Sequence, residues 1–123
     1  MSCTLTNTLK LPSGDSITFD AVLCGYLANL ASELKEALPG ELPEGDDFVS
    51  ALTLNLLFDG ELVEGVTFTV SFALPEGMEG DKFAVLSWDA ETSSWVEVEG
   101  VTASGGFVTV NVGYSGTFVL VAR

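Results

Sequence analysis

The sequence predicts a mainly β protein, a two-sheet antiparallel β-sandwich of about eight short strands with one short amphipathic helix near residues 26–38. Three observations carry this. Short runs of β-branched and aromatic residues recur through the chain, and turn signals rich in Gly, Pro, Asp and Ser fall between them at close spacing. Only one stretch departs from the two-residue period of a strand toward the period of a helix. At 123 residues, the chain fits one domain spanning 1–123.

Residues 2–24 read as two strands around Leu11-Pro12-Ser13-Gly14-Asp15. Alternation places Leu5, Leu9 and Leu11 on one face, and Ile17, Phe19, Ala21 and Leu23 on one face of the next strand. Two registers compete. A two-residue turn at Ser13-Gly14 sets Cys3 opposite Cys24 but faces Leu9 against Thr18. A shift by one pairs Leu11 with Ile17, Leu9 with Phe19 and Leu5 with Leu23, leaving Cys3 beside Gly25. A one-residue slip turns every side chain over, so the apolar pattern favours the second. Cys3 and Cys24 remain a candidate disulfide, which in that register needs an irregular strand end.

Over residues 26–38, Leu27, Leu30, Ala31, Leu34 and Leu38 follow the stripe of an amphipathic helix that Pro39-Gly40 would stop. Such a helix is expected to lie over an open end or face of the sheets. An acidic Pro/Gly loop follows, then strands near 49–58, 66–74, 82–88, 95–99, 107–113 and 117–122. Val66, Phe68, Val70 and Phe72 alternate with Thr67, Thr69 and Ser71, the pattern of a half-buried strand. Phe83 to Trp88 and Phe118 to Val121 are apolar at successive positions, so these strands are expected to be covered on both faces.

Charge excludes several functions. Eighteen Asp and Glu stand against four basic residues, Lys10, Lys35, Lys82 and Arg123, for a formal charge of −14. Such a surface repels phosphates, so neither nucleic acid nor an anionic membrane is an expected partner. No apolar run is long enough for membrane insertion as a helix. No basic segment followed by an apolar one marks a signal peptide, so a secreted form implies a signal already removed. With no histidine in the chain, Ser-His-Asp and Cys-His catalysis and His-ligated metals are out of reach. Neither a P-loop nor a dinucleotide-binding glycine motif occurs. No enzyme activity and no cofactor are expected.

From about residue 66 to 122, the chain resembles immunoglobulin-like or ZU5-like β-sandwich modules of bacterial and archaeal surface proteins. The resemblance runs through Val66 to Leu74, Pro75-Glu76-Gly77 and Phe83 to Trp88, then Trp95 to Val98, Gly106 to Val110 and Gly116 to Val121. It implies a structural or adhesive module outside the cell and transfers no catalytic residue.

Four sets of residues are candidates for chemistry or contact. Trp88 and Trp95 flank the Asp89–Ser94 turn and are expected opposite each other. Exposed, they would stack on a sugar with Asp89 or Glu91 as acceptors; buried, they are a packing pair. Trp95 shares its strand face with Glu97 and Glu99, which leaves it partly exposed while Val96 and Val98 point inward. Calcium, which takes six to eight oxygens, has weak candidates in Asp46, Asp47, Asp59 and Glu61, with Glu44, Glu79 and Asp81 further oxygens of the acidic loops, though no EF-hand spacing occurs. Lys10 or Lys82 with Asn7, Asn55 or Asn111 is the only material for a Lys–Asn isopeptide crosslink. Leu5, Leu9 and Leu11 make the N-terminal strand a candidate for pairing with a neighbour's sheet edge. The expected function is therefore a non-catalytic subunit of an extracellular or cell-surface assembly such as a filament, surface layer or adhesin. Its partners would be itself or other surface proteins. The alternative is a module binding carbohydrate or another ligand.

Overall fold

The computed structural model describes residues 8–19, 26–62, 65–77 and 82–123. Cys3, Leu5, Asn7, Cys24, Glu79 and Asp81, and with them the candidate disulfide, lie outside the described residues. The described strands are β1 (Thr8–Lys10), β2 (Ser16–Phe19), β3 (Tyr26–Ser32), β4 (Asp47–Phe58), β5 (Glu61–Leu62), β6 (Phe68–Ala73), β7 (Phe83–Asp89), β8 (Ser94–Glu97), β9 (Thr102–Ser104), β10 (Phe107–Val112) and β11 (Gly116–Ala122), with a 3-10 turn at Lys35–Ala37. They form two antiparallel sheets, as expected. The first runs β1-β2-β6-β10-β9. The second runs β3-β4-β11-β7-β8, with β5 alongside β4.

Alternation explains how the sheets meet. In β6, Phe68, Val70 and Phe72 are buried while Thr69, Ser71 and Ala73 turn outward. They join Ile17, Phe19, Val108, Val110 and Val112 from the first sheet and Leu52, Leu54, Leu56, Val85, Phe118 and Leu120 from the second in one core. Phe68 meets Phe118 across the sheets edge to face, with ring centroids 6.4 Å apart. The continuous apolar runs do lie in covered strands. β11 is flanked by β4 and β7, and its Val119 and Val121 join Ala51, Ala84 and Leu86 in a second buried cluster on the outer face. Leu38, Leu42, Phe48 and Trp95 pack over that cluster. Phe48 reaches it through a bulge: the β4–β11 register shifts between Leu120 and Val121, so that Ser50 pairs with Leu120 but Phe48 with Val121. The extra residue, Val49, moves Phe48 from the inner face to the outer.

Two expectations are corrected and a third is met in part. The helix over 26–38 is not formed: Tyr26–Ser32 is a strand paired with β4 from Tyr26↔Phe58 to Ser32↔Leu52. Tyr26, Ala28 and Leu30 also fit an alternating pattern, and packing them on the core while completing a sheet ladder wins over the helical spacing. The helical stripe is split, leaving Leu27 58% and Leu34 72% exposed. The expectation that this region covers a sheet face is met, but by a 3-10 turn and irregular chain carrying Leu38 and Leu42.

The β1–β2 register also differs, pairing Thr8 with Thr18, Leu9 with Ile17 and Lys10 with Ser16. The turn sets it. Gly14 N–H donates to the Leu11 carbonyl at 3.0 Å and Leu11 N–H to the Asp15 carbonyl at 2.8 Å, while Gly14 has φ +96°. Pro12 presets the first corner and Gly14 takes the left-handed one, giving a bulged three-residue loop in place of a two-residue turn. The slip from the expected Leu9–Phe19 pairing is by two residues, so Leu9 and Ile17 keep the same face. The third is a matter of degree at Val96: it stands on the inner face as expected, opposite Ser87, but is 47% exposed because β8 is the end strand of its sheet, whereas Val98, two residues on and on the same face, packs against the core.

Candidate interaction surfaces

Trp88 and Trp95 stand directly opposite on the β7–β8 hairpin, with ring centroids 5.1 Å apart and an edge-to-face angle of 68°. Both are half-buried. The Trp95 indole N–H donates to the Gly40 carbonyl at 3.2 Å, and a methyl group on Gly40 would sit 2.6 Å from the Trp88 ring. The two indoles therefore clamp the residue 33–46 segment onto the outer face of the second sheet. Glu33 N–H to the Ala51 carbonyl, 2.9 Å, holds one end of that segment. At the other end the Arg123 guanidinium donates to Asp46 at 2.9 Å and contacts Glu97 at 2.7 Å. Those hydrogen bonds, Asp46 first, hold Arg123 above its ordinary pKa.

The open side of the Trp pair is a cleft of about 380 Å³ that Glu41, Pro43, Ser93 and Ser94 also line. Asp89 does not project into it as a lone acceptor: its Oδ1 takes the Glu91 N–H at 3.0 Å and shapes the hairpin turn. Glu91 is exposed in that turn. The geometry makes the pair primarily a clamp.

The calcium candidates do not converge. Asp46 and Asp47 lie at the start of the twelve-residue β4, and Asp59 and Glu61 beyond its far end. Among the described residues no group of three acidic or cysteine side chains is placed to hold a metal ion. For an isopeptide bond, Lys10 is in the first sheet and Asn55 in the second, and Asn111 Oδ1 accepts a hydrogen bond from Thr69 at 2.7 Å.

Leu9 and Leu11, the described part of the N-terminal assembly candidate, are half-buried and pack against the chain's own core. A different edge has the features expected of an acceptor. β3 ends the second sheet with seven residues, Tyr-Leu-Ala-Asn-Leu-Ala-Ser, bearing no charge and no proline. Among the described residues, the other sheet ends, β1, β8 and β9, are shorter, with Lys10 in β1 and Glu97 in β8 carrying charge. Charges, prolines and brevity are the usual protections of a sheet edge. From β3, an apolar row crosses the sheet as Leu27↔Leu57↔Leu62, with Leu62 62% exposed. A groove of about 380 Å³ lies against the strand, lined in part by Asn29, Ala31, Glu33, Thr53 and Asn55. Sequence reasoning missed this edge because it read these residues as a helix.

It also missed Asp15, which is only 1% exposed. Its Oδ1 accepts the Ala73 N–H at 2.8 Å and its Oδ2 the Ser50 hydroxyl at 2.6 Å. One carboxylate thus ties the β1–β2 turn to the end of β6 in its own sheet and to β4 in the other. In the sequence, its position after Ser13-Gly14 marks only a turn. Comparison with known proteins returns no match for this chain, whether against family models, curated proteins or solved structures.

Proposed function

We propose that this protein is a non-catalytic structural and interaction module of an extracellular or cell-surface assembly, associating by addition of a strand to a sheet edge. The observation that carries the reading is β3, a seven-residue uncharged end strand that begins the Leu27–Leu57–Leu62 row, exposed at Leu27 and Leu62. No described strand pairs along its other side. An edge of this kind offers backbone donors and acceptors to any extended segment, and the leucines supply the apolar contact that gives such pairing its affinity. The absence of histidine and the resemblance of residues 66–122 to immunoglobulin-like or ZU5-like surface modules support the same reading. With a charge of −14, the surface elsewhere resists non-specific contact and concentrates association at neutral patches. Native mass and electron microscopy from micromolar to near-millimolar protein test it: oligomers or filaments growing with concentration are expected, and a strict monomer throughout refutes self-assembly.

A further inference from the structure

We infer that the partner of the β3 edge is a second copy of the same strand, paired antiparallel about a two-fold axis at Asn29. The inference rests on the strand-addition reading and names its partner. In β3, Tyr26, Ala28 and Leu30 face the core, while Leu27, Asn29 and Ala31 are exposed on the outer face. A two-fold pairing that keeps both sandwiches' inner faces on the same side must be centred on a residue, not between residues, because side chains alternate with period two. Centred on Asn29, all seven residues are used. Tyr26 then faces Ser32, Leu27 faces Ala31, Ala28 faces Leu30, and Asn29 faces its own copy.

Each pair sets a larger side chain against a smaller one, and the axis carries an amide that is both donor and acceptor toward its twin. Centring on Ala28 or Leu30 drops two residues from the ladder and sets Leu27 against Asn29 or Leu30 against itself. Backbone matching follows from the same parity. In an antiparallel ladder alternate residues point both their N–H and C=O to one side. Whichever set faces away from β4, the Asn29-centred register pairs that set with itself. The ladder would run about 24 Å and join two five-strand paths into one continuous sheet. On its outer face, the Leu27 row of each copy is carried across the axis as far as the other's Ala31. The interface strand carries no charge, so the opposing term is the long-range repulsion of two −14 chains, which salt screens over about 10 Å at 0.1 M.

The test uses the full chain with Asn29→Cys, oxidised at high protein concentration, with the bridged peptides identified by mass spectrometry. A disulfide joining the Asn29→Cys positions of two copies is expected, together with a bridge between Leu27→Cys and Ala31→Cys chains when those two variants are mixed. Asn29→Asp, which sets two carboxylates at the axis on an exposed position, should weaken dimerisation at least tenfold and leave the fold's circular dichroism unchanged. Dimerisation of the unmodified chain should tighten as salt rises from about 0.02 to 0.2 M. Oligomers that form with neither bridge and ignore Asn29→Asp would overturn the two-fold β3 pairing while leaving assembly through another edge standing. A chain that stays monomeric under all these conditions would overturn both.

Discussion

Replacing Asp15 by alanine should destabilise the fold by about 3 kcal/mol, from two half-buried partners of a buried carboxylate left unmatched. The Ala73 N–H, 2.8 Å from Oδ1, and the Ser50 hydroxyl, 2.6 Å from Oδ2, both lose their acceptor. A buried donor deprived of its partner costs about 1–3 kcal/mol, more where the acceptor carries charge. The Ala73 N–H cannot turn away, whereas the Ser50 hydroxyl can rotate toward another acceptor and both sites are only half-buried, so the sum belongs in the lower half of the combined range of about 2–6 kcal/mol. For a domain of this size, about 3 kcal/mol corresponds to a fall in Tm of about 10 °C. Asp15→Asn keeps an acceptor for the backbone donor and should lose about half as much. Ser50→Ala alone removes one bond, and in the double variant Asp15→Ala/Ser50→Ala the two losses should fall short of additive by about 1 kcal/mol. Urea unfolding followed by tryptophan fluorescence measures all four, with a constant m-value as the check that the transition is comparable. If Asp15→Ala unfolds within about 0.5 kcal/mol of the parent, the range of an ordinary surface substitution, the carboxylate does not tie the sheets together.

Gly40→Ala places a methyl 2.6 Å from the Trp88 ring, so one of them must move; a loss of about 1–3 kcal/mol and a red-shifted tryptophan emission are expected, and an unchanged spectrum would refute the clamp. Phe118→Ala, at a fully buried position touching Phe68, should cost about 3–5 kcal/mol by thermal unfolding, the range for a phenyl ring removed from a packed core. Arg123→Gln should cost under about 1 kcal/mol, because the guanidinium is 40% exposed, and the difference should shrink in about 1 M salt. A raised cation pKa gives stability that is complete below the group's ordinary value and disappears only as pH climbs through the raised one. The Arg123 contribution should accordingly be constant across neutral pH and vanish only in strong alkali, which a pH series of Tm for parent and variant checks.

The parts of the fold legible in the sequence are those where one local pattern has one reading. In β6, strict alternation from Phe68 to Phe72 leaves no competing period, and in β11 four successive apolar residues demand cover on both faces. β3 is ambiguous because Leu27, Leu30 and Leu34 satisfy a helical stripe while Tyr26, Ala28 and Leu30 satisfy a strand. What decides is the unfilled edge of β4, distant in sequence and invisible to any local window. The β1–β2 register turns on backbone chemistry at Gly14, where a left-handed corner lengthens the loop against a purely apolar argument. The Trp88–Trp95 pairing is readable from the symmetry of the hairpin, but its occupant, Gly40, comes from a distant segment. Asp15 stays hidden because nothing local distinguishes a buried carboxylate from a turn residue.

Hydrogen–deuterium exchange across residues 26–32 at increasing protein concentration probes the β3 edge most directly. Those of its amides that point away from β4 have no sheet partner among the described strands of the single chain, and pairing with another chain gives them one. Protection of this strand is expected to rise with concentration, while core amides such as those of β11 stay equally protected throughout. Protection over 26–32 that is the same from micromolar to near-millimolar protein, while mass measurements report assembly, would place the interface elsewhere and contradict edge pairing at β3.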